Sequence, residues 1–358
     1  MKNFLILAGA RPNFMKIAPL NAALRERGAQ TFIVHTGQHY DHNMSDVFFR
    51  ELGIPAPDVN LGVGSSDRKT QSKKIIQALV PLLCEKSPDA IIVVGDVTST
   101  AAGAMAGVMA GIPVVHVEAG LRSFNWKMPE ELNRMIADHH SDLLFVNEAS
   151  GVENLKNEAI PDERVHLVGN IMIDTLRRAE PFADKSTILE KHGLKPGEFG
   201  LLTMHRPENV DFVDALKSLC GSLSLVSDHV PLIYPLHPRT KARLQEFGLQ
   251  LDPRIKLIDP VGYFDMLALI KNVKLVLTDS GGLQEETTAL SVPCITLREQ
   301  TERPITVEEG TSEIVGRDRQ AILQCVYRIK SGNWKAGKVP ELWDGRVAYR
   351  IADILLKS

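Results

Sequence analysis

"VKLVLTDSGGLQEE", Val273 to Glu286, sets an apolar run before two glycines and a helix-forming stretch. That is how a buried strand, a tight turn and a crossover helix read in sequence. Ser280 is a good N-cap, Gly281 and Gly282 let backbone approach a ligand closely, and exposed N–H groups at a helix start favour an anion. No Lys follows the glycines, as it would in a Walker loop, and the G-x-G-x-x-G spacing of a dinucleotide site is missing, so neither phosphate cradle fits.

The same unit recurs along the chain. "FLILAG", "TFIVHTG", "AIIVVGD", "VVHVEAG", "LLFVN" and "RVHLVGN" alternate with longer amphipathic stretches, and from about Gly197 the pattern restarts with "GLLTMH", "LIYPLH", "IKLID", "LVLTDSGG", "PCITLRE" and "SEIVG". Such alternation predicts parallel sheets with crossover helices, and so an α/β protein of two doubly wound, Rossmann-like domains. The first is placed at residues 1–170 and the second at 171–345. A charged, proline-containing connection is read over Arg177 to Gly200. "RVAYRIADILLKS" puts Val347, Ile351, Ile354 and Leu355 on one face of a closing helix, 346–358, expected to pack back on the first domain. In open α/β sheets ligands bind beyond the carboxyl ends of the strands, so the two domains are expected to face a central cleft. Gly169 and Gly345 are candidate hinges for closure over it.

Composition narrows the partners. The 358 residues are 44% hydrophobic and 24% charged, which is ordinary for a globular protein, and a net charge of -3 gives no electrostatic case for nucleic acid or an anionic membrane. No segment reaches the roughly 18 apolar residues of a transmembrane helix. "MKNFLILAGA" imitates a short signal peptide, but a first buried strand ending in a glycine turn accounts for it better. Cys84, Cys220, Cys294 and Cys325 are widely spaced and read as buried free thiols, which suits a cytoplasmic protein.

Six strand ends carry the chemistry-bearing residues: "GARPNFMK", "GDVTST", "VEAGLRS", "TMHRPEN", "YPLHPRT" and "TDSGGLQEE". Taken singly, each is more often a capped turn or surface ion pair. Together, Arg11 and Lys16 supply cations opposite the helix start at Ser280–Gly282, a pairing that suits a diphosphate. Asp96 and Glu118 each end an apolar run, so on neighbouring strands both carboxylates reach one crevice, and Glu130 shares a helical face with Asn133 and Arg134. Converging carboxylates raise at least one pKa and supply an acid and a base together. His205 and His237 end consecutive strands, and "REQTERPIT" brings Glu302 and Arg303 beside the glycine turn. The pairs His39/His42 and His139/His140 match no recognised metal-ligand pattern, so no metal is expected.

Taken in order, "GARPNFMKIAPL", "GQHYD", "GDVTST", "HVEAGLRS", "PEELNR", Gly169, "HRPEN", "LTDSGGLQEE", "TERP" and "DGRVAYRI" resemble the non-hydrolysing UDP-N-acetylglucosamine 2-epimerases, end to end. The resemblance implies a glycosyltransferase-B-type fold, a homodimer, and reversible inversion at C2 of a UDP-sugar substrate without metal, nicotinamide or other cofactor. It further implies that the C2 proton is removed while UDP leaves C1, giving a glycal that is then re-protonated on the opposite face as UDP returns. Carried over by position, Lys16, Asp96, Glu118, Glu130, Arg134 and His205 form the catalytic set. Arg11, Ser280, Gly281, Gly282, Glu286 and Arg303 fall on substrate-binding positions, with Glu286 accepting the ribose hydroxyls. Gln38, Glu131 and His237 match a neighbouring regulatory site of bacterial members, where a second arginine is replaced here by Pro207. Relatives acting on oxidised or 3-amino-substituted UDP sugars share the "GARP" start. A hydrolysing epimerase, a glycosyltransferase needing an acceptor, and a UDP-sugar sensor are the competing readings.

Overall fold

In the computed structural model, which describes residues 1–9, 11–37, 53, 55–64 and 67–357 without the side chains of Arg11 and Pro12, the apolar runs form strands and the stretches between them helices. The chain divides into two compact units, Met1–Arg178 with Glu341–Ser358, and Ala179–Pro340.

The first unit holds β1 (Asn3–Ala8), β2 (Gln30–His35), β3 (Val59–Asn60), β4 (Ala90–Val94), β5 (Val114–Ala119), β6 (Leu143–Val146) and β7 (Val165–Leu167). Among the described residues they make one parallel sheet in the order β3-β2-β1-β4-β5-β6-β7. β1 shows why the unit is doubly wound. Phe4, Ile6 and Ala8 join a core with helices Arg11–Glu26 and Val347–Lys357, while Leu5 and Leu7 join one with helices Arg68–Lys86 and Thr98–Ala110. A strand buried on both faces must be apolar at every position, and "FLILA" is. Val347, Ile351 and Leu355 enter the first of these cores and Ile354 packs at its edge.

The second unit repeats the scheme with β8 (Gly200–Thr203), β9 (Leu232–Pro235), β10 (Lys256–Ile258), β11 (Leu275–Thr278), β12 (Cys294–Thr296) and β13 (Ser312–Ile314), ordered β10-β9-β8-β11-β12-β13 and parallel. Leu202, Leu232, Leu275, Leu277 and Ile295 pack on helices Val213–Ser227 and Arg319–Lys330.

Each sheet reverses its winding at one place, between β1 and β4 in the first unit and between β8 and β11 in the second. Crossover helices leave opposite faces there, so the loops part and open a crevice at the strand ends. The thiols are free; Cys220, Cys294 and Cys325 are buried as expected, but Cys84, on the outer face of its helix, is exposed.

Candidate functional site

In the first unit the loops leaving β1, β4 and β5 bring three expected residues together. Lys16, one and a half turns into helix Arg11–Glu26, forms a buried ion pair with Glu118. Glu118 sits at a register shift between Val117 and Ala119, with φ 74, a left-handed conformation that a non-glycine residue adopts only under constraint. The bulge turns this carboxylate out of the strand's alternation. Gly95, with φ 67, lies directly beneath, and a Cβ there would come 2.9 Å from Lys16 Nζ.

Asp96, the next residue, accepts from Arg134 Nη1 at 2.5 Å, and its backbone carbonyl accepts from Asn133 Nδ2 at 2.9 Å. Both donors come from helix Pro129–His139. Asp96 remains partly exposed while Arg134 is buried, so the carboxylate can meet a ligand on its free side. Glu130 stands half-exposed in the first turn of that helix and has no partner among the described residues. Arg134 turns instead to Asp96 and to Glu131, whose Oε2 lies 2.6 Å away. Glu131 is buried and accepts from Ser123 N, Ser123 Oγ and Phe124 N at 2.9, 2.9 and 2.8 Å. Burial pushes the Glu131 carboxyl up, but the hydrogen bonds from Arg134 and Ser123 and the Arg134 charge outweigh it and hold it below the usual carboxylate range. Arg11 opens its helix, and its side chain, like the whole of Gln38, His39 and His42, lies outside the described residues.

In the second unit β8 and β11 end side by side. His205 and Arg206 donate their backbone N–H groups to the Asp279 carboxylate at 3.0 and 2.9 Å, and Asn209 Nδ2 donates at 3.1 Å. His205 Nδ1 lies 3.3 Å from the same carboxylate, which burial raises but these bonds and the His205 ring hold below its ordinary range. The half-exposed imidazole stacks on His237, centroids 5.0 Å apart, and His237 in turn caps helix Pro238–Glu246 through Arg239 N. Asp279 therefore fixes the "HRPEN" loop from a strand 74 residues away, a role its place in "TDSGG" alone does not announce.

Ser280 occupies the N-cap of helix Gly281–Ala289 with extended backbone, and its side chain makes no capping bond there, which keeps the first-turn N–H groups open to an anion. A Cβ at Gly281 would come 2.6 Å from Arg303 Nη1, so glycine lets that guanidinium lie over the turn. Arg303 Nε donates to Glu285 at 2.6 Å and Nη1 to Glu302. Glu302 itself also accepts from Arg298 at 2.8 Å, and although burial pushes its carboxyl up, Arg303, Arg298 and Arg206 hold it well below the usual range. Glu286 differs. Fully buried, it is raised to about 7 by that burial, opposed by a Tyr263 hydrogen bond and aided by the neighbouring Glu285 charge.

Among the described residues no group of three or more His, Cys, Asp or Glu side chains could hold a metal ion. His139 pairs with Glu158 at 3.1 Å and His140 with the Ile136 carbonyl at 2.8 Å. Among the described residues no helix is long and apolar enough to cross a membrane.

Two doubly wound parallel sheets, each with charged residues gathered at its switch point, define a protein of the glycosyltransferase-B fold class. The sequence profile of the family described as UDP-N-acetylglucosamine 2-epimerase matches residues 22–356. A UDP-N-acetylglucosamine 2-epimerase of Methanococcus maripaludis is 40% identical over 92% of this chain and 92% of its own. A Pseudomonas aeruginosa UDP-2,3-diacetamido-2,3-dideoxy-D-glucuronate 2-epimerase is 38% identical over 99% of each. The crystal structure of a Methanocaldococcus jannaschii UDP-GlcNAc 2-epimerase, in complex with UDP-GlcNAc and UDP, superposes with a TM-score of 0.91 at 39% identity, covering all of both chains. The chain belongs to the UDP-N-acetylglucosamine 2-epimerase family.

Proposed function

We propose that the protein interconverts UDP-N-acetylglucosamine and UDP-N-acetylmannosamine, keeping UDP attached at both ends of the reaction. The observation that carries this reading is the pair of carboxylates on adjacent strand ends, Asp96 after β4 and Glu118 at the end of β5, each with its own cation. Elimination needs a base at C2 and charge stabilisation at the departing diphosphate; re-addition needs an acid on the opposite face of the ring. Asp96 and Glu118 serve as acid and base, with Glu130 as the third candidate, and Lys16 and Arg134 hold the two carboxylates in place. His205 donates toward the diphosphate as the C1–O bond breaks and its oxygen gains charge. Arg11, Arg303 and the first-turn N–H groups at Ser280, Gly281 and Gly282 bind the diphosphate, and Glu286 accepts the ribose hydroxyls.

Glu131, buried against Ser123 and Arg134, and His237, stacked on His205, are with Gln38 the proposed regulatory residues, and through the first two a second ligand would bear on Asp96 and His205. A cytoplasmic homodimer is part of the same proposal. Met105, Val108 and Met109 are exposed along one face of helix Thr98–Ala110, an apolar stripe that a second copy would cover.

Incubation with UDP-N-acetylglucosamine followed by ion-exchange separation tests the proposal: UDP-N-acetylmannosamine should appear to a constant ratio, and release of UDP with free N-acetylmannosamine would instead mark a hydrolysing enzyme. The 38% identity to the Pseudomonas aeruginosa enzyme favours one second substrate, UDP-2,3-diacetamido-2,3-dideoxy-D-glucuronate, to be assayed in parallel.

A further inference from the structure

Beneath the two carboxylate-bearing loops lies a buried ionic chain to which no role has yet been given. His116, on β5 and fully buried, has Nδ1 2.6 Å from Asp138 Oδ1 and Nε2 2.8 Å from the carbonyl oxygen of Gly95. Asp138 Oδ2 accepts from Gly120 N at 3.1 Å and lies 2.8 Å from Arg122 Nη1; Arg122 continues to Glu158 at 2.7 and 2.8 Å.

The proton count follows from the acceptors. A peptide carbonyl oxygen can only accept, so His116 Nε2 carries a proton. Asp138 is an ionised acceptor, because its Oδ2 takes the Gly120 N–H and pairs with the Arg122 guanidinium, neither of which a protonated carboxyl oxygen would face as well. Nδ1 therefore carries a proton as well. A neutral imidazole has one donor, and would leave either the Gly95 carbonyl or the Asp138 carboxylate facing a lone pair in the core.

The ends of this chain matter. The Gly95 carbonyl belongs to the peptide that enters Asp96, and the Gly120 amide lies two residues past Glu118. We infer that His116 is a buried imidazolium and, with Asp138, a positioning pair that sets the distance between the Asp96 and Glu118 carboxylates. The inference rests on the proposed roles of those two carboxylates. Charge-assisted hydrogen bonds hold their geometry better than neutral ones, and here they fix the Gly95 carbonyl before Asp96 and the Gly120 amide just past Glu118, whose φ of 74 ordinary backbone preference would relax.

The test uses the full-length protein labelled with 15N-histidine. Long-range 1H–15N correlation at pH 7.5, with His116 assigned through its own backbone and side-chain correlations, should show both ring nitrogens protonated. In His116→Phe, which keeps the bulk and loses both donors, kcat with UDP-N-acetylglucosamine should fall by about 100-fold, since a misplacement near 1 Å costs that much. Its Kd for UDP should stay at the wild-type value, because the expected diphosphate and ribose contacts described in the second unit do not touch His116. His116→Gln, with one donor group retained, should fall between. An unprotonated ring nitrogen in the wild-type protein would overturn the inference, as would a folded His116→Phe enzyme with wild-type kcat. If His116→Phe does not fold, the ring nitrogens still decide. Failure of the wild-type protein to epimerise would count against the proposed activity, and the ring-nitrogen result would stand apart from it.

Discussion

Asp96 and Glu118 are alike in chemistry and differ in setting. Glu118 is buried against Lys16 on a strained bulge, whereas Asp96 is partly exposed and bound on one side by Arg134. Asp96→Asn keeps the shape and removes a group that can give or take a proton, so kcat should fall by roughly 100-fold or more while UDP affinity is unchanged, as steady-state kinetics and calorimetry would show. His205→Ala should behave likewise if it stabilises the leaving diphosphate; near-normal turnover in either variant would dismiss that residue's role. Glu286 gives a pH signature. Its folded-state pKa of about 7 lies above the ordinary 4.5, so the folded protein holds a proton that the unfolded chain releases, and this site loses stability as pH rises from the ordinary carboxylate range through 7. Glu286→Gln should therefore stabilise the fold at pH 8 by on the order of 2 kcal/mol, and by less at pH 5, in urea denaturation. Ribose hydroxyls donate best to an ionised carboxylate, so wild-type UDP affinity should rise through pH 7, and the glutamine variant should bind more weakly with no such rise.

At the scale of elements, the strand ends at the two switch points do the positioning. Twelve of the strands are legible as largely apolar runs, the central ones such as β4 and β11 because burial on both faces demands an unbroken one. β3 is not: Val59–Asn60 is a two-residue edge strand, and "DVN" carries no periodicity to find. The same asymmetry holds for the site. Residues that end a strand, such as Asp96, Glu118 and His205, stand out where an apolar run stops. Asp279 and the His116–Asp138 pair do not, because their meaning comes from partners that sheet register and helix packing bring near, and a polar letter inside "VVHVEAG" or "RMIADHH" looks like any other. Glycines are legible as turns, yet their necessity comes from packing. A Cβ at Gly169, φ 89, would come 2.3 Å from the Leu342 carbonyl oxygen. Gly169→Ala should lower stability by at least about 1 kcal/mol from the left-handed backbone alone. Asp174, which accepts from Val347 N and Ala348 N at 3.1 and 2.7 Å, caps the closing helix, and Asp174→Ala should cost about 1–2 kcal/mol in thermal denaturation.

For the molecule as a whole, the functional reading assigns proton transfer to the first unit and most of the nucleotide contacts to the second, with Arg11 of the first unit joining the diphosphate set and His205 of the second assisting departure of UDP, so Asp96 and Glu118 variants should leave UDP affinity intact. The exposed stripe of Met105, Val108 and Met109 belongs to the first unit. Val108→Glu with Met109→Glu should convert a dimer to a monomer in analytical ultracentrifugation, with the fold unchanged by circular dichroism. A wild-type protein that sediments as a monomer would remove the homodimer from the account. The central claim is the exchange of the C2 proton with UDP retained, and proton NMR of the protein with UDP-N-acetylglucosamine in heavy water tests it most directly. The account requires deuterium at C2 to appear in step with the UDP-N-acetylmannosamine signal, with UDP still attached at C1. Epimer formed with its C2 proton intact, or no change in the spectrum at all, would contradict it.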